Sequence, residues 1–399
     1  MCPAGRRGTA ARMVNVDLVS VVAVFAAMTV AAGVPALLPR LGIPGVVLEI
    51  AAGVVIGPQV LHLVHPGPIV VTLSTLGLCV LFLLAGFEVD PDVLKGRPLR
   101  LAWRGWAASA VIACGAGYAL SAAGLIEAPM FTALALTTTA VGALLPILRD
   151  AGRLGPPYGP IILATGAIGE AAPLIALSLI LAGAAGAPGQ ALILVGFAVG
   201  AAAAVMVAAR TTHGHLAGVV ARTMGSSGQF PLRLVMLLMV LLIALSEELK
   251  IDLVLGAFVA GAVVRAALPH HQHEALLTRL DGLGYGFLIP IFFITSGVRL
   301  DVMSLVTDLH ALAMVPVFAL LMLVVRGLPV LLLARDDLDA PARQALALHA
   351  GTQLPLVVAI AAIAVQGGVM PPWQAASLVG GGVLTMLVYP TLGLRRLGR

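Results

Sequence analysis

The chain has 399 residues, of which 60% are hydrophobic and only 10% charged, with a formal net charge of +5. Soluble domains carry about 25% charged residues, and the mean hydropathy of +1.07 points to a polytopic membrane protein rather than a soluble domain with an anchor. The basic residues are spread thinly over connections, which argues against nucleic acid as a partner, and Cys2, Cys79 and Cys114 make no disulfide framework. Arg outnumbers Lys 21 to 2, the coding bias of a GC-rich genome.

Residues 1–17 form an N-terminal extension with Arg6, Arg7 and Arg12, followed by an apolar run from Leu18. That run is long enough to read as an uncleaved first span rather than a signal peptide, and Met13 offers an alternative start. Apolar windows of about 20 residues bounded by charge or by Pro and Gly predict thirteen spans, near 18–38, 43–62, 68–87, 101–125, 128–148, 158–186, 189–209, 230–246, 251–267, 282–298, 307–334, 341–366 and 372–394. Connections after odd-numbered spans, with the C-terminus, hold seventeen basic residues, and those after even-numbered spans hold only Lys250 and Arg299. The positive-inside rule therefore predicts a cytoplasmic C-terminus and an outside N-terminus, against the three N-terminal arginines.

Glu170 lies in an otherwise apolar stretch, Ile161 to Leu181. An acidic residue there costs roughly 2.5–3.5 kcal/mol on insertion scales, so an intramembrane carboxylate suggests function. With span 6 starting near Tyr158, 1.5 Å per residue puts Glu170 about 18 Å deep. Arg326, the one basic residue well inside a span, lies roughly 14 Å from the same side on this rise and reads as a partner for Glu170 or for unpaired carbonyls. Glu49, about six residues into span 2, is the other acidic residue predicted inside a span; it reads as structural or vestibular, or as a secondary acid.

Span 5 contains Thr137, Thr138 and Thr139, then Gly142 and Pro146; span 12 contains Gly351, Thr352, Gln353, Leu354 and Pro355. Pro removes a backbone hydrogen bond and Thr hydroxyls compete for backbone groups. Such runs often only kink a helix. Here, however, spans 4–6 begin inside and spans 11–13 begin outside, with an interrupted helix in the middle of each triplet. Corresponding interruptions in two inverted halves point to a transporter's binding site.

Several segments resemble the monovalent cation:proton antiporter superfamily, in particular its second family (CPA2), which includes bacterial sodium/proton and potassium/proton exchangers. They are Gly42-Ile43-Pro44 through Leu48-Glu49-Ile50, Gly53 and Gly57-Pro58; Leu81 through Glu88; Leu255 through Gly261; and Pro290 through Phe293 with Ser296-Gly297. They run in the family's order from span 2 to span 10. The resemblance implies an all-α membrane fold with inverted repeats and two crossing discontinuous helices. It also implies a homodimer, with scaffold helices near 18–100 and 189–300 and core helices near 101–186 and 307–394. It places the cation carboxylate on the span resembling the sixth, here Gly169-Glu170, where the family more often shows Asp-Asp, Asn-Asp or Gln-Asp.

A buried carboxylate holds a proton or a cation, because desolvation disfavours leaving the charge bare. If only the occupied forms reorient, exchange is obligatory. Thr137, Thr138, Thr139 and the carbonyls freed in span 5 supply further oxygens suited to Na⁺ or K⁺; Arg326, Thr352, Gln353 and Gly169 support the core. Gly169 cannot titrate and Arg326 holds its proton, so one cation is expected to exchange for one proton, without net charge movement. No cofactor is expected, and no catalytic constellation suggests an enzyme. The alternatives are a sodium-coupled organic-anion symporter of related fold and a passive cation channel. His270, His271 and His273 read as solvated residues of a cytoplasmic connection, Glu247 and Glu248 as a solvated helix end, and Gly183 to Gly189 as a tight connection. The expected location is a bacterial plasma membrane, with lipid, monovalent cations and protons as the only partners besides a second copy.

Overall fold

The computed structural model describes residues 5–37, 43–88, 96–184, 188–210, 223, 228–249, 251 and 253–398; Cys2, Lys250 and the middle of the Gly183–Gly189 connection lie outside them. The described residues are helical, with no strand. In chain order the helices are α1 (Gly5–Leu37), α2 (Gly45–Ile56), α3 (Pro68–Glu88) and α4 (Gly96–Ala122), then a broken pair, α5 (Pro129–Leu136) and α6 (Val141–Asp150). Next come α7 (Tyr158–Ala184), α8 (Pro188–Arg210), α9 (Phe230–Glu248) and α10 (Leu253–Ala267). α11 (His270–Leu283) runs through a π-turn (Gly284–Leu288) into α12 (Ile289–Arg299). A short α13 (Val302–Thr307) leads to α14 (Leu309–Leu333), a second broken pair, α15 (Ala340–Ala350) and α16 (Pro355–Gln366), and α17 (Pro372–Leu397).

Nine described helices are long and apolar enough to cross a membrane, against the thirteen spans predicted. Apolar stretches at Gly45–Ile56, Pro129–Leu144, Val199–Ala208 and Leu253–Ala267 are shorter. α2 stops well before residue 62 because Gly57 leaves the helical conformation and Pro58 follows, and proline brings no N–H to continue the ladder.

Two further expectations change. The N-terminal extension is helical from Gly5 and continuous with the first span. The tenth span begins at His270 rather than near 282, so His270, His271 and His273 sit in the first turn of α11 instead of an open connection. His273 is 6% exposed, with Nε2 at 3.1 Å from Arg265 O and 2.9 Å from Leu268 O. A ring nitrogen ties down carbonyls at the end of α10, which accounts for a buried histidine without metal.

The helices pack in two groups. α4, α5, α7, α14, α15 and α17 pack on one another, and α1, α2, α3, α10 and α12 form a second cluster with α9 against α10. Large apolar side chains that no neighbour covers, such as Val22, Val111, Val199, Leu241 and Leu320, lie on the outer helices, where lipid would meet them. In hydrocarbon, helices gain from close backbone approach rather than from hiding oil from water. α3 and α10 illustrate this: a Cβ added at Gly86 would run into Phe258 O, and one at Gly261 into Leu83 O. The obstacle is backbone rather than a movable side chain, so Gly261→Val must push the two helices apart. Overpacking costs about 1–3 kcal/mol, and a lowered melting temperature in detergent is expected; an unchanged one would mean that the α3–α10 spacing is not fixed by these contacts.

Candidate functional site

α5 ends at Leu136 and α6 starts at Val141; α15 ends at Ala350 and α16 starts at Pro355. The two breaks cross. Ala140 N–H donates to Thr352 O at 2.9 Å, and the Gln353 amide nitrogen donates to Leu136 O at 2.9 Å. Thr139 donates its hydroxyl to Ala350 O at 2.8 Å, and Thr138 Oγ1 lies 3.2 Å from Gln353 Oε1. Thr385 of α17 braces the second break, accepting from Gln353 N at 3.1 Å and donating to Gln353 O at 3.0 Å. Each break frees backbone groups that would be orphaned in a dry interior, and the partner break satisfies them. Thr137, Thr138, Thr139, Thr352 and Gln353 are all at most 3% exposed.

Glu170 enters the crossing from α7. Its Oε1 accepts from Val141 N–H at 3.0 Å and Gly142 N–H at 3.3 Å, the first N–H groups of α6. A half-helix N-terminus carries partial positive charge and unpaired donors, a natural seat for a carboxylate. Glu170 is 5% exposed, and its Oε2 has no hydrogen-bond partner. Glu170 lines a cavity of about 30 Å³ together with Glu88, Gly142, Tyr285, Phe293 and Leu356, among others, room for about one water or one small ion.

Arg326, fully buried in α14, lies next to this arrangement without an ion pair to Glu170. Its Nε donates to Thr139 Oγ1 at 2.9 Å, Nη2 to Thr165 O of α7 at 3.1 Å, and Nη1 lies 3.5 Å from Ser109 Oγ of α4. Of its two expected partners, the carbonyl side is the one it takes. Gly169 is explained by the same packing: a Cβ there would stand 2.7 Å from Arg326 Nη2 and 2.8 Å from Thr139 Oγ1. Where the family more often carries Asp, Asn or Gln, the guanidinium and Thr139 leave no room. Thr139 N–H donates to Gly169 O at 3.1 Å, tying α7 to the break.

Three sequence expectations are redistributed. Thr138 and Thr139 reach across the crossing to Gln353 and Ala350, Thr137 and Thr138 bond back to Leu134 O and Ala135 O in the last turn of α5, and none of the three lines the cavity at Glu170. Glu49 is half-buried in α2 and does not line that cavity, although Val46, one turn earlier, does. Glu88, absent from the acids expected inside the membrane, does line it, and its Oε2 is buried without a partner. Placed at the end of α3, it reads in the sequence as a solvated helix terminus; only the packing of α7 and the π-turn against α3 brings it inside. Tyr285 belongs to that π-turn, a local widening that often marks functional positions. The one available signal was that Glu88 closes the Leu81–Glu88 motif.

Arg326→Ala would remove two hydrogen bonds given by a charged donor, to Thr165 O and Thr139 Oγ1, at about 1.5–3 kcal/mol each. The expected result is a large drop in melting temperature in detergent, with a smaller one for Arg326→Lys, whose ammonium can still donate to one of them. Equal melting temperatures for the parent and Arg326→Ala would show that the crossing does not depend on the guanidinium.

Comparison with known proteins agrees with this architecture. Residues 24–395 match the profile of the transmembrane sodium/hydrogen exchanger family. YjbQ of Bacillus subtilis, named for sodium/proton antiport, is 33% identical over 334 residues, covering 79% of this chain and 53% of its own length. The glutathione-regulated potassium-efflux protein KefC of Klebsiella pneumoniae is 29% identical over 283 residues, 67% of this chain and 43% of its own. The chain thus spans about half the length of such relatives. The solved sodium/proton antiporter MjNhaP1 of Methanocaldococcus jannaschii superposes with a TM-score of 0.71 at 15% identity, covering 96% of this chain and 99% of that one; at that identity the match speaks for the fold. Crossed broken helices around a buried carboxylate, on a chain that fits the family profile almost end to end, make this protein a member of the transmembrane sodium/hydrogen exchanger family, within the monovalent cation:proton antiporters.

Proposed function

We propose that the protein exchanges a monovalent cation, Na⁺ or K⁺, for H⁺ by alternating access, with Glu170 as the shared site. The observation that carries this reading is Glu170 at the crossing of two broken helices, lining a cavity of about 30 Å³ with a buried Oε2 that has no hydrogen-bond partner. A carboxylate so placed has three options: hold a proton, hold a cation, or stand charged in a dry site. Desolvation makes the third costly, so the occupied forms are the ones able to cross, and each cation that enters displaces a proton. The α6 N–H groups hold Oε1 in either form and leave Oε2 for the exchange. The alternative of an organic-anion symporter fits poorly, since the cavity has room for about one water and its anionic lining repels an anion.

Access is proposed to alternate across the apolar wall that separates this cavity from a larger one. The second cavity, of about 240 Å³, lies between α3, α10, α12, α16 and α17 and is lined by Ser74, Thr295, Arg299, Asp301 and Gln366 among others, but not by Glu170. Phe292 and Val358 face the larger cavity, while Phe293 and Leu356 face the smaller. Sliding of the α4–α7 and α14–α17 group against the group of α1–α3, α10 and α12 would open this wall. The proposed orientation has a cytoplasmic C-terminus, and the proposed assembly is a homodimer in a bacterial plasma membrane.

In proteoliposomes, a Na⁺ or K⁺ gradient is expected to drive proton movement in the parent and not in Glu170→Gln, which keeps the side chain's shape and removes its charge. Exchange by Glu170→Gln at the parental rate would overturn the reading.

We further propose that one cation exchanges for one proton. Gly169 offers no titrating group and Arg326 does not release its proton, so a single change of charge state at Glu170 moves no net charge. Imposing a membrane potential with valinomycin, with Na⁺ as the transported ion, should then leave the steady-state ΔpH unchanged. A potential-dependent ΔpH would reject electroneutrality and direct attention to Glu88, which shares the cavity, ahead of Glu49.

A further inference from the structure

Glu88 and Glu170 come from different helix groups, α3 and α7, yet line one cavity. Each has an Oε2 that is buried and without a hydrogen-bond partner, and both line the cavity of about 30 Å³. Gly142 links the two positions. Its N–H donates to Glu170 Oε1 at 3.3 Å, and a methyl group built on its Cα would stand 3.3 Å from Glu88 Oε2 and 3.5 Å from the Tyr285 hydroxyl. Two carboxylates therefore meet across a single residue in the first turn of α6. Packing alone gives no reason for this, because each buried oxygen without a donor is a penalty, larger for a charged group than for a neutral one. A proton on one of them, or a cation between them, lifts the penalty.

We propose that Glu88 is a second ligand for the transported monovalent cation, completing with Glu170 a two-carboxylate oxygen site. The proposal deepens, and rests on, the reading of Glu170 as the exchange carboxylate. Alkali cations are held by several oxygens that replace their hydration shell. Glu170 has one oxygen to give, since Oε1 is engaged by Val141 and Gly142. The lining supplies only two other side-chain oxygen donors, Glu88 and the Tyr285 hydroxyl, and is otherwise apolar or glycine. Glu88 is the anionic one. Among the described residues, the charged groups Asp281, Arg149 and Arg265 also act on Glu88, and none of these lines the cavity. The site is thus split between the two helix groups, so a sliding motion that separates α3 from α7 would pull one ligand away from the other and release the ion.

The test is cation-dependent thermal stabilisation of the full chain in detergent, titrating NaCl and KCl against N-methyl-D-glucamine chloride at constant ionic strength. The parent is expected to show saturable stabilisation by at least one cation, and Glu170→Gln none. Glu88→Gln is expected to need about tenfold more cation or higher for half-maximal stabilisation, the equivalent of about 1.4 kcal/mol. A purely structural Glu88 would change the cation-free melting temperature and leave the half-saturation concentration where it was, and that result overturns the proposal. Glu88→Asp, which keeps the charge but draws it back by one methylene, serves if Glu88→Gln fails to fold: weakened half-saturation supports the proposal and a parental value overturns it. If Glu170→Gln keeps the parental half-saturation, the reading of Glu170 fails instead. If Glu170→Gln is silent while Glu88→Gln is parental, only the second ligand is lost.

Discussion

A helix that begins in the middle of a membrane protein exposes backbone N–H groups with no carbonyl to receive them and no water nearby. At the start of α6 those groups belong to Val141 and Gly142, and Glu170 accepts from both. The pairing serves each side: the half-helix gains an acceptor at its positive end, and the carboxylate gains two donors in a site where burial would otherwise oppose its charge. Only one carboxylate oxygen is used. The other is buried without a hydrogen-bond partner, and the chemistry proposed for the protein depends on that asymmetry.

The rest of the core maintains the break that creates α6. The second break, in the α15–α16 pair, lies across the first and satisfies its backbone through Thr352 O and the Gln353 side chain. Arg326 fastens the crossing to α7 and α4 through Thr139, Thr165 O and Ser109. A guanidinium suits this role because its planar fork reaches several acceptors in fixed directions. The unusual Gly169 beside Glu170 then reads as a steric accommodation of Arg326 and Thr139 rather than as a missing ligand. A departure from the family's usual residue at one position is matched by what occupies the space in front of it.

The split between the helix groups gives this arrangement a way to work. Glu170, the crossing and Arg326 belong to one group, whereas Glu88, Tyr285 and Phe293 belong to the other. A site made of both can be complete in one relative position and incomplete in another. The glycine contacts that seat α3 against α10 fix the position of Glu88 within the second group, as the proposed sliding of the first group requires.

The sequence by itself determined the class of protein, the location of its interrupted helices and the intramembrane carboxylate at the heart of the site. These follow from local physics: apolar length, the helix-weakening of Thr137–Thr139 and of Gly351–Pro355, and the cost of a charge such as Glu170 in hydrocarbon. Tertiary structure decided everything that depends on which groups meet. It turned the threonine hydroxyls into the crossing instead of toward the cavity, gave Arg326 to carbonyl and hydroxyl oxygens instead of Glu170, and buried His273 against the end of α10. It also carried Glu88 from an apparently solvated helix end into the cavity, because burial there is conferred by α7 and the Tyr285 π-turn, elements some 80 and 200 residues further along the chain. Hydropathy along a single helix records how that helix sits in lipid, but not which distant helix closes over its last turn.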